Sequence, residues 1–146
     1  MTETILKAIM RLFAIVSLLM DETRRDSSRQ IVESYLRQLV NADKVRNYML
    51  IYSFYEKEYL ERRKKKAKHK DSLFTIKSII ICEQLNNALL QKQKAFFLLQ
   101  IFDMLRLNGE LTECNYDYMK ALALGLNFSE PVFKSLFSFI LILQMK

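Results

Sequence analysis

Apolar residues recur along this chain at the three-and-four spacing of helices, and polar punctuation divides them into successive segments. Ile5, Ile9, Leu12, Val16 and Leu19 form one row, with Leu6, Met10 and Phe13 in a second beside it. Only Lys7 and Arg11 interrupt, so this first helix must be flanked on most sides. Asp21 to Ser28 is polar, and Asp26, Ser27 and Ser28 are candidate N-caps for a second helix through Ile31, Val32, Tyr35, Leu36 and Leu39. After the turn Asn41-Ala42-Asp43, a third helix from Lys44 carries Val45, Tyr48, Met49, Tyr52, Tyr55 and Tyr59. It is expected to dissolve into a mobile loop within ERRKKKAKHK, where like charges on adjacent turns repel. Asp71 or Ser72 then caps a fourth helix through Ile76, Ile79, Ile80 and Leu85. Its β-branched TIKSIII would suit a strand, but no second strand is present to pair with it. A break between Asn86 and Leu90 follows.

From Lys94 to Phe139 the pattern reads as three helices joined by two short turns. Ala95, Leu98, Leu99, Phe102, Leu105 and Arg106 share one face, widened by Phe96, Phe97 and Ile101. Asn108-Gly109 tolerates a left-handed backbone, and Thr112 is a candidate N-cap for the next helix, which turns Tyr116, Met119, Leu122 and Ala123 inward and ends at Gly125. Ser129 caps a last helix with Pro131 in its first turn and Phe133, Leu136, Phe137 and Ile140 as its seam. Sliding the chain by 83 residues overlays Phe13 on Phe96, Tyr35 on Tyr118 and Leu39 on Leu122. This weak internal repeat suggests two three-helix halves, residues 1–60 and 72–146, joined by a basic connection at 61–71.

The stretch FLLQIFDMLRLNGELTECNYDYMKALALGLNFSEPVF resembles the TerB-like family, the helical domain named after bacterial tellurite-resistance proteins. Gly109, Thr112, Gly125, Leu126, Ser129, Glu130 and Phe133 carry the resemblance, while Asn108 and Asn115 stand where that family usually has acidic residues. ILKAIMRLFAIVSLL, IVESYLRQLVN and ICEQLNNALLQKQKAFFLLQ also look like the N-terminal helical region of large bacterial ABC-type ATP-binding proteins that begin with such a domain. The resemblance implies a non-catalytic interaction or regulatory module within a longer chain. It also implies carboxylates clustered at two helix turns, for which Asp21, Asp103 and Glu110 are the candidates, with Glu22 and Glu113 in reserve. Hard cations need several oxygen ligands, and the two asparagines remove anionic ones. A metal-sensing stress-response domain is therefore an alternative, and no resident cofactor is expected.

Composition supports a single all-α domain over residues 1–146, a compact bundle of six or seven helices. The chain is 51% hydrophobic and holds two glycines and one proline, so it can bury a core and has few places to break a helix. Its net charge of +7 is local: seven Lys or Arg against one Glu between Glu61 and Lys70 give +6, leaving +1 for everything else. That run, Arg62, Arg63, Lys64, Lys65, Lys66, Lys68 and Lys70, could hold nucleic acid or an anionic membrane surface, although no aromatic residue is interleaved within it. The plainer reading is a solvated helix end.

Enzymatic chemistry has little to stand on. His69 is the single histidine and sits inside the basic run, and two glycines do not build a phosphate loop or a dinucleotide fingerprint. Tyr48, Tyr52, Tyr55 and Tyr59 line one helical face, either as the edge of the core or as a strip for a partner domain. No run reaches the roughly 20 apolar residues that a bilayer span requires. Lys7 and Arg11 break the first apolar run, so it does not read as a cleavable secretory signal. Cys82 and Cys114 are expected to be reduced, in a cytoplasmic or peripheral membrane setting.

Overall fold

The computed structural model describes the backbone of residues 1–20, 22–65, 70–106 and 113–144 and, within these, the side chains of all but 22, 63–65, 70–75, 113–114 and 144. Among the described residues the fold is all-α: α1 (Glu3–Ser17), α2 (Arg25–Arg37), α3 (Ala42–Lys65), α4 (Lys70–Ala88), α5 (Gln91–Arg106), α6 (Glu113–Gly125) and α7 (Glu130–Gln144). A 3₁₀ turn over Glu22–Arg24 leads into α2.

Helix α1 is the axis of the bundle. Its N-terminus is capped by Thr2, whose hydroxyl accepts from the Ile5 amide. Ten of its residues are buried, including Leu6, Ile9, Met10, Phe13 and Val16, because α2, α3, α4 and α5 all pack against it. Phe13 is the centre of an aromatic cluster, edge-on to Tyr35 at 5.5 Å and to Phe97 at 5.0 Å, which ties α1, α2 and α5 together. A second cluster, Phe102, Tyr116, Phe133 and Phe137, closes α5, α6 and α7.

Several local expectations need correction. Helix α2 starts at Arg25, ahead of Asp26, Ser27 and Ser28, and lacks a side-chain cap bond; the buried Ser28 hydroxyl instead donates to the Arg25 carbonyl at 2.7 Å. Helix α4 starts at Lys70, which places Asp71 and Ser72 inside its first turn rather than before it. Gly125 does end α6, but the left-handed residue is Asn127, at φ 66°. The Phe128 amide donates to the Ala123 carbonyl and the Asn127 amide to that of Leu124, the paired bonds of a Schellman ending. Gly125 serves a close approach: a Cβ there would lie 3.4 Å from the Cys82 sulfur. Thr112 and the Asn108-Gly109 turn lie outside the described residues.

The structural repeat runs at 88 residues, not 83. Residues 3, 37 and 42, which start α1, end α2 and start α3, correspond to 91, 125 and 130, which start α5, end α6 and start α7. All seven buried positions of α5 (Lys94, Phe97, Leu98, Ile101, Phe102, Met104 and Leu105) fall on buried positions of α1 in this register. Within each triplet the first helix packs on the other two and these pack on each other. The 83-residue offset lies five residues, about 1.4 helical turns, from this register and so matched aromatic residues on different helical faces; burial, not residue identity, carries the repeat. Helix α4 belongs to neither triplet and packs between α1 and α6.

Candidate functional site

A cluster of polar groups lies where α4, α5 and the end of α6 meet. Lys94 of α5 is only 3% exposed. Its ammonium donates to the Asn86 side-chain oxygen at 2.9 Å and to the Leu126 carbonyl at 2.8 Å, and sits 6.0 Å from the Phe128 ring centroid. Asn86 in turn donates to the Gly125 carbonyl at 2.8 Å, and the Gln91 amide to that of Asn127 at 3.0 Å. With the backbone bonds of the Schellman ending, each carbonyl from Leu122 to Asn127 has a donor. A cation at the negative end of a helix dipole is favourable, and here it also satisfies groups that water would otherwise serve.

Burial lowers the Lys94 pKa against a smaller opposing influence from Cys82. Burial pushes the Cys82 thiol up to about 11, so it stays protonated at neutral pH and is a poor nucleophile. Both committed donors of Lys94 face neutral acceptors that belong to the fold. The arrangement acts as a staple, holding the α6–α7 corner to α4 and α5. The signal for it in the sequence is that Lys94 stands in phase with Leu98, Ile101 and Leu105 on the buried seam of α5.

The carboxylates expected to gather at two turns are not seen together. Asp21 and Glu110 lie outside the described residues, as do the side chains of Glu22 and Glu113. Asp103 is half-buried and paired with Arg106 one turn along α5. Among the described residues no group of three His, Cys, Asp or Glu is placed to hold a metal ion.

In the basic run, Arg62 is exposed and pairs with Glu58. Arg63, Lys64 and Lys65 occupy the last turn of α3 and Lys70 the first residue of α4, while Lys66, Lys68 and His69 lie outside the described residues. The helix thus persists further into the cationic stretch than charge repulsion alone suggests, as cations suit a helix C-terminus.

The tyrosines resolve toward the core. Tyr48, Tyr52 and Tyr59 are buried and Tyr55 is half-buried. Tyr52 donates to Glu56 at 2.8 Å, and Arg29 stacks over its ring. Little of these side chains is left exposed, which places the set at the edge of the core. Burial raises the pKa of Tyr52 and of Tyr35 well above the usual phenol value.

Two features escaped the sequence reading. One is an open cleft of about 670 Å³ between α2 and α3, lined by Arg29, Glu33, Arg37 and Arg46 among others. Its residues come from two helices and look singly like ordinary solvated positions. The other is a set of outward apolar faces. Ile76, Ile79 and Ile80 on α4 are 55%, 51% and 52% exposed, and Phe139, Leu141, Ile142 and Leu143 stand open on the distal part of α7. Helical periodicity marks both as apolar but cannot say which apolar face the bundle leaves uncovered. No helix among the described residues is long and apolar enough to cross a membrane. No family model, curated protein or solved structure matches this chain.

Proposed function

We propose that this domain is a non-catalytic interaction or regulatory module, by its resemblance a TerB-like unit at the N-terminal side of a cytoplasmic ATP-binding cassette protein of the ABC-transporter type. The observation that carries the reading is the distal part of α7. Ile140 is buried there, yet Phe139, Leu141, Ile142 and Leu143 around it are exposed. Contiguous apolar surface of this kind marks a face that another surface covers. Buried Lys94 and half-buried Asn86 are engaged with each other and with backbone carbonyls, which suits a rigid platform.

The test is photo-cross-linking from unnatural residues at positions 139 and 142 in cells. The reading expects a cross-link to an ATP-binding cassette region, lost in an Ile142→Asp variant that keeps its helical circular dichroism. Absence of any cross-link from α7, or cross-links unaffected by that variant, would sink it.

A further inference from the structure

We propose that the cleft between α2 and α3 binds a linear small molecule with an anionic group at each end of an apolar chain, anchored by the guanidiniums of Arg29 and Arg46. This goes beyond the α7 reading and uses a different face.

The cleft's volume of about 670 Å³ lies within the roughly 300–1,000 Å³ of small-molecule sites. Met49 and Val45 from α3 and Val40 from the corner give it an apolar floor. The same place in the second triplet is taken up by aromatic rings. In the 88-residue register Ser28, Val45 and Met49 correspond to Tyr116, Phe133 and Phe137, and the Tyr116 ring meets the two phenylalanines edge-on at 5.4 and 5.0 Å. Lys120 and Glu130 then bridge α6 to α7 at 3.0 Å, where the first triplet has Val32 and Ala42. The opening is therefore made by smaller, uncharged side chains and does not come with the corner itself.

Uncompensated charge identifies the ligand. Arg29 is half-buried; its guanidinium donates to the Ser53 hydroxyl at 2.8 Å and lies over the Tyr52 ring at 5.8 Å, so neutral partners hold it in place. Arg46 is exposed on the opposite wall. Among the described residues neither has a carboxylate at ion-pair distance. Their remaining N–H groups suit carboxylate or phosphate oxygens. Arg37 is paired with Glu33 at 2.7 Å, which balances the carboxylate in the middle of the cleft. Asp26 is exposed and stands one turn beyond Arg29, at the far end.

Spacing sets the ligand's length. The Arg29–Ser53 bond fixes how α2 and α3 align, and Arg46 precedes Ser53 by seven residues, about 10 Å along α3. Met49 lies between these two positions, so an aliphatic middle can rest on it while each end meets a guanidinium. Extended decanedioate has about this span between its carboxylates. Decanoate offers the same chain with one anchor fewer.

These two acids are the probes. In low salt, isothermal titration of the full chain should give saturable binding of decanedioate, with Kd at or below roughly 1 mM and about tenfold tighter than for decanoate. The Met49 methyl NMR signal should shift along the same isotherm. Arg29→Gln and Arg46→Gln should each weaken decanedioate about tenfold, and Asp26→Asn, which removes a competing carboxylate, should strengthen it. Met49→Phe, the side chain of the second triplet, should weaken both acids. No saturable signal up to roughly 10 mM decanedioate would overturn the proposal. So would equal affinity for the two acids, an unmoved Met49 methyl, binding that survives Arg46→Gln, or binding lost in Ile142→Asp on α7. Arg46 is exposed and makes no bond within the fold, and helical circular dichroism of each variant verifies its structure.

Discussion

The corner between α2 and α3 and the corner between α6 and α7 occupy equivalent places in the 88-residue repeat, yet they are held in different ways. At the first, Gln38, Leu39 and Val40 donate back to carbonyls of Tyr35 and Leu36, all in ordinary helical or near-helical turns. The residue beneath is Leu6, which lines an open cleft of about 480 Å³ with Leu39, Val40 and Asn41. At the second, the equivalent of Leu6 is Lys94, the equivalent of Leu39 is the left-handed Asn127, and α4 supplies Asn86. A fourth helix beside a corner changes what can sit under it. Water can serve exposed carbonyls at the first; at the second, α4 covers the helix end, so side chains must provide the donors.

The strongest way to break this contrast is Lys94→Ala. It leaves the Leu126 carbonyl and the Asn86 oxygen without a donor and removes a packed aliphatic stem, and is expected to cost about 3 kcal/mol in chemical denaturation. Lys94→Leu, which installs the residue of the first corner, restores the packing but not the donor and should recover part of that loss. If Lys94→Leu were as stable as the parent chain, the ammonium would be dispensable and the contrast decorative. The pH dependence adds a check with a definite sign. Burial lowers the Lys94 pKa, so the folded chain holds that proton less firmly than the unfolded one, and the resulting cost to stability is full at low pH and relieved as the ammonium loses its proton. Stability of the parent relative to Lys94→Leu should therefore rise as pH climbs toward the ordinary lysine range.

Asn127 offers the next test. A β-branched residue at φ 66° is strained, so Asn127→Val should cost about 1–2 kcal/mol, whereas Asn127→Gly should be neutral or slightly stabilising. At the equivalent Leu39 the sign reverses: glycine there brings only backbone entropy and lost contact, and should destabilise by about 0.5–1 kcal/mol. Thermal unfolding of the four proteins, the parent included, decides it.

How far all this was legible in the sequence follows from what periodicity reports. The apolar rows of α1 and the Asn86–Leu90 break read correctly because a wide apolar stripe and a polar gap are local signals. Ser129 also read correctly: its hydroxyl accepts from the Val132 amide at 3.4 Å at the start of α7. Serines 27 and 28 misled because a capping residue also fits inside a first turn when the preceding 3₁₀ turn has already set the chain's direction. The tyrosine face of α3 read as either core or surface, since a phenol is at home at both, and only packing against α1 and α2 decides. The phase of Lys94 with the apolar seam of α5 is legible in the sequence, but its role is not, because a buried lysine is recognisable as a staple only once its acceptors are in place. Those acceptors lie 8 and 32 residues away.

Cys82 supplies a third effect, of about 1 kcal/mol. Its thiol is raised from 9.0 to about 11 by burial, so the folded state keeps a proton that the unfolded state releases. Stability from this group is intact below pH 9 and falls between pH 9 and 11, by about 1 kcal/mol at pH 10. Cys82→Ala should lose that part of the alkaline decline while keeping the part due to the buried tyrosines. Urea titrations at pH 8 and roughly pH 10 separate the two.

The smallest effect probes why Gly125 is a glycine. If its backbone conformation required it, any side chain would be costly; but its φ is not in the left-handed region, and the neighbour that limits it is Cys82. In the parent chain Gly125→Ala gains helix propensity of up to about 1 kcal/mol, offset by a Cβ 3.4 Å from the Cys82 sulfur, so the net change should stay within about 0.5 kcal/mol. In a Cys82→Ala background the sulfur is gone and the remaining Cβ, 3.6 Å away, is an ordinary contact, so the same substitution should stabilise by about 0.5–1 kcal/mol. The equivalent Arg37 in the first corner faces solvent, and Arg37→Ala should show no such dependence on Cys82. A coupling of Arg37 to Cys82, or none between Gly125 and Cys82, would mean that α4 does not make the difference between the two corners.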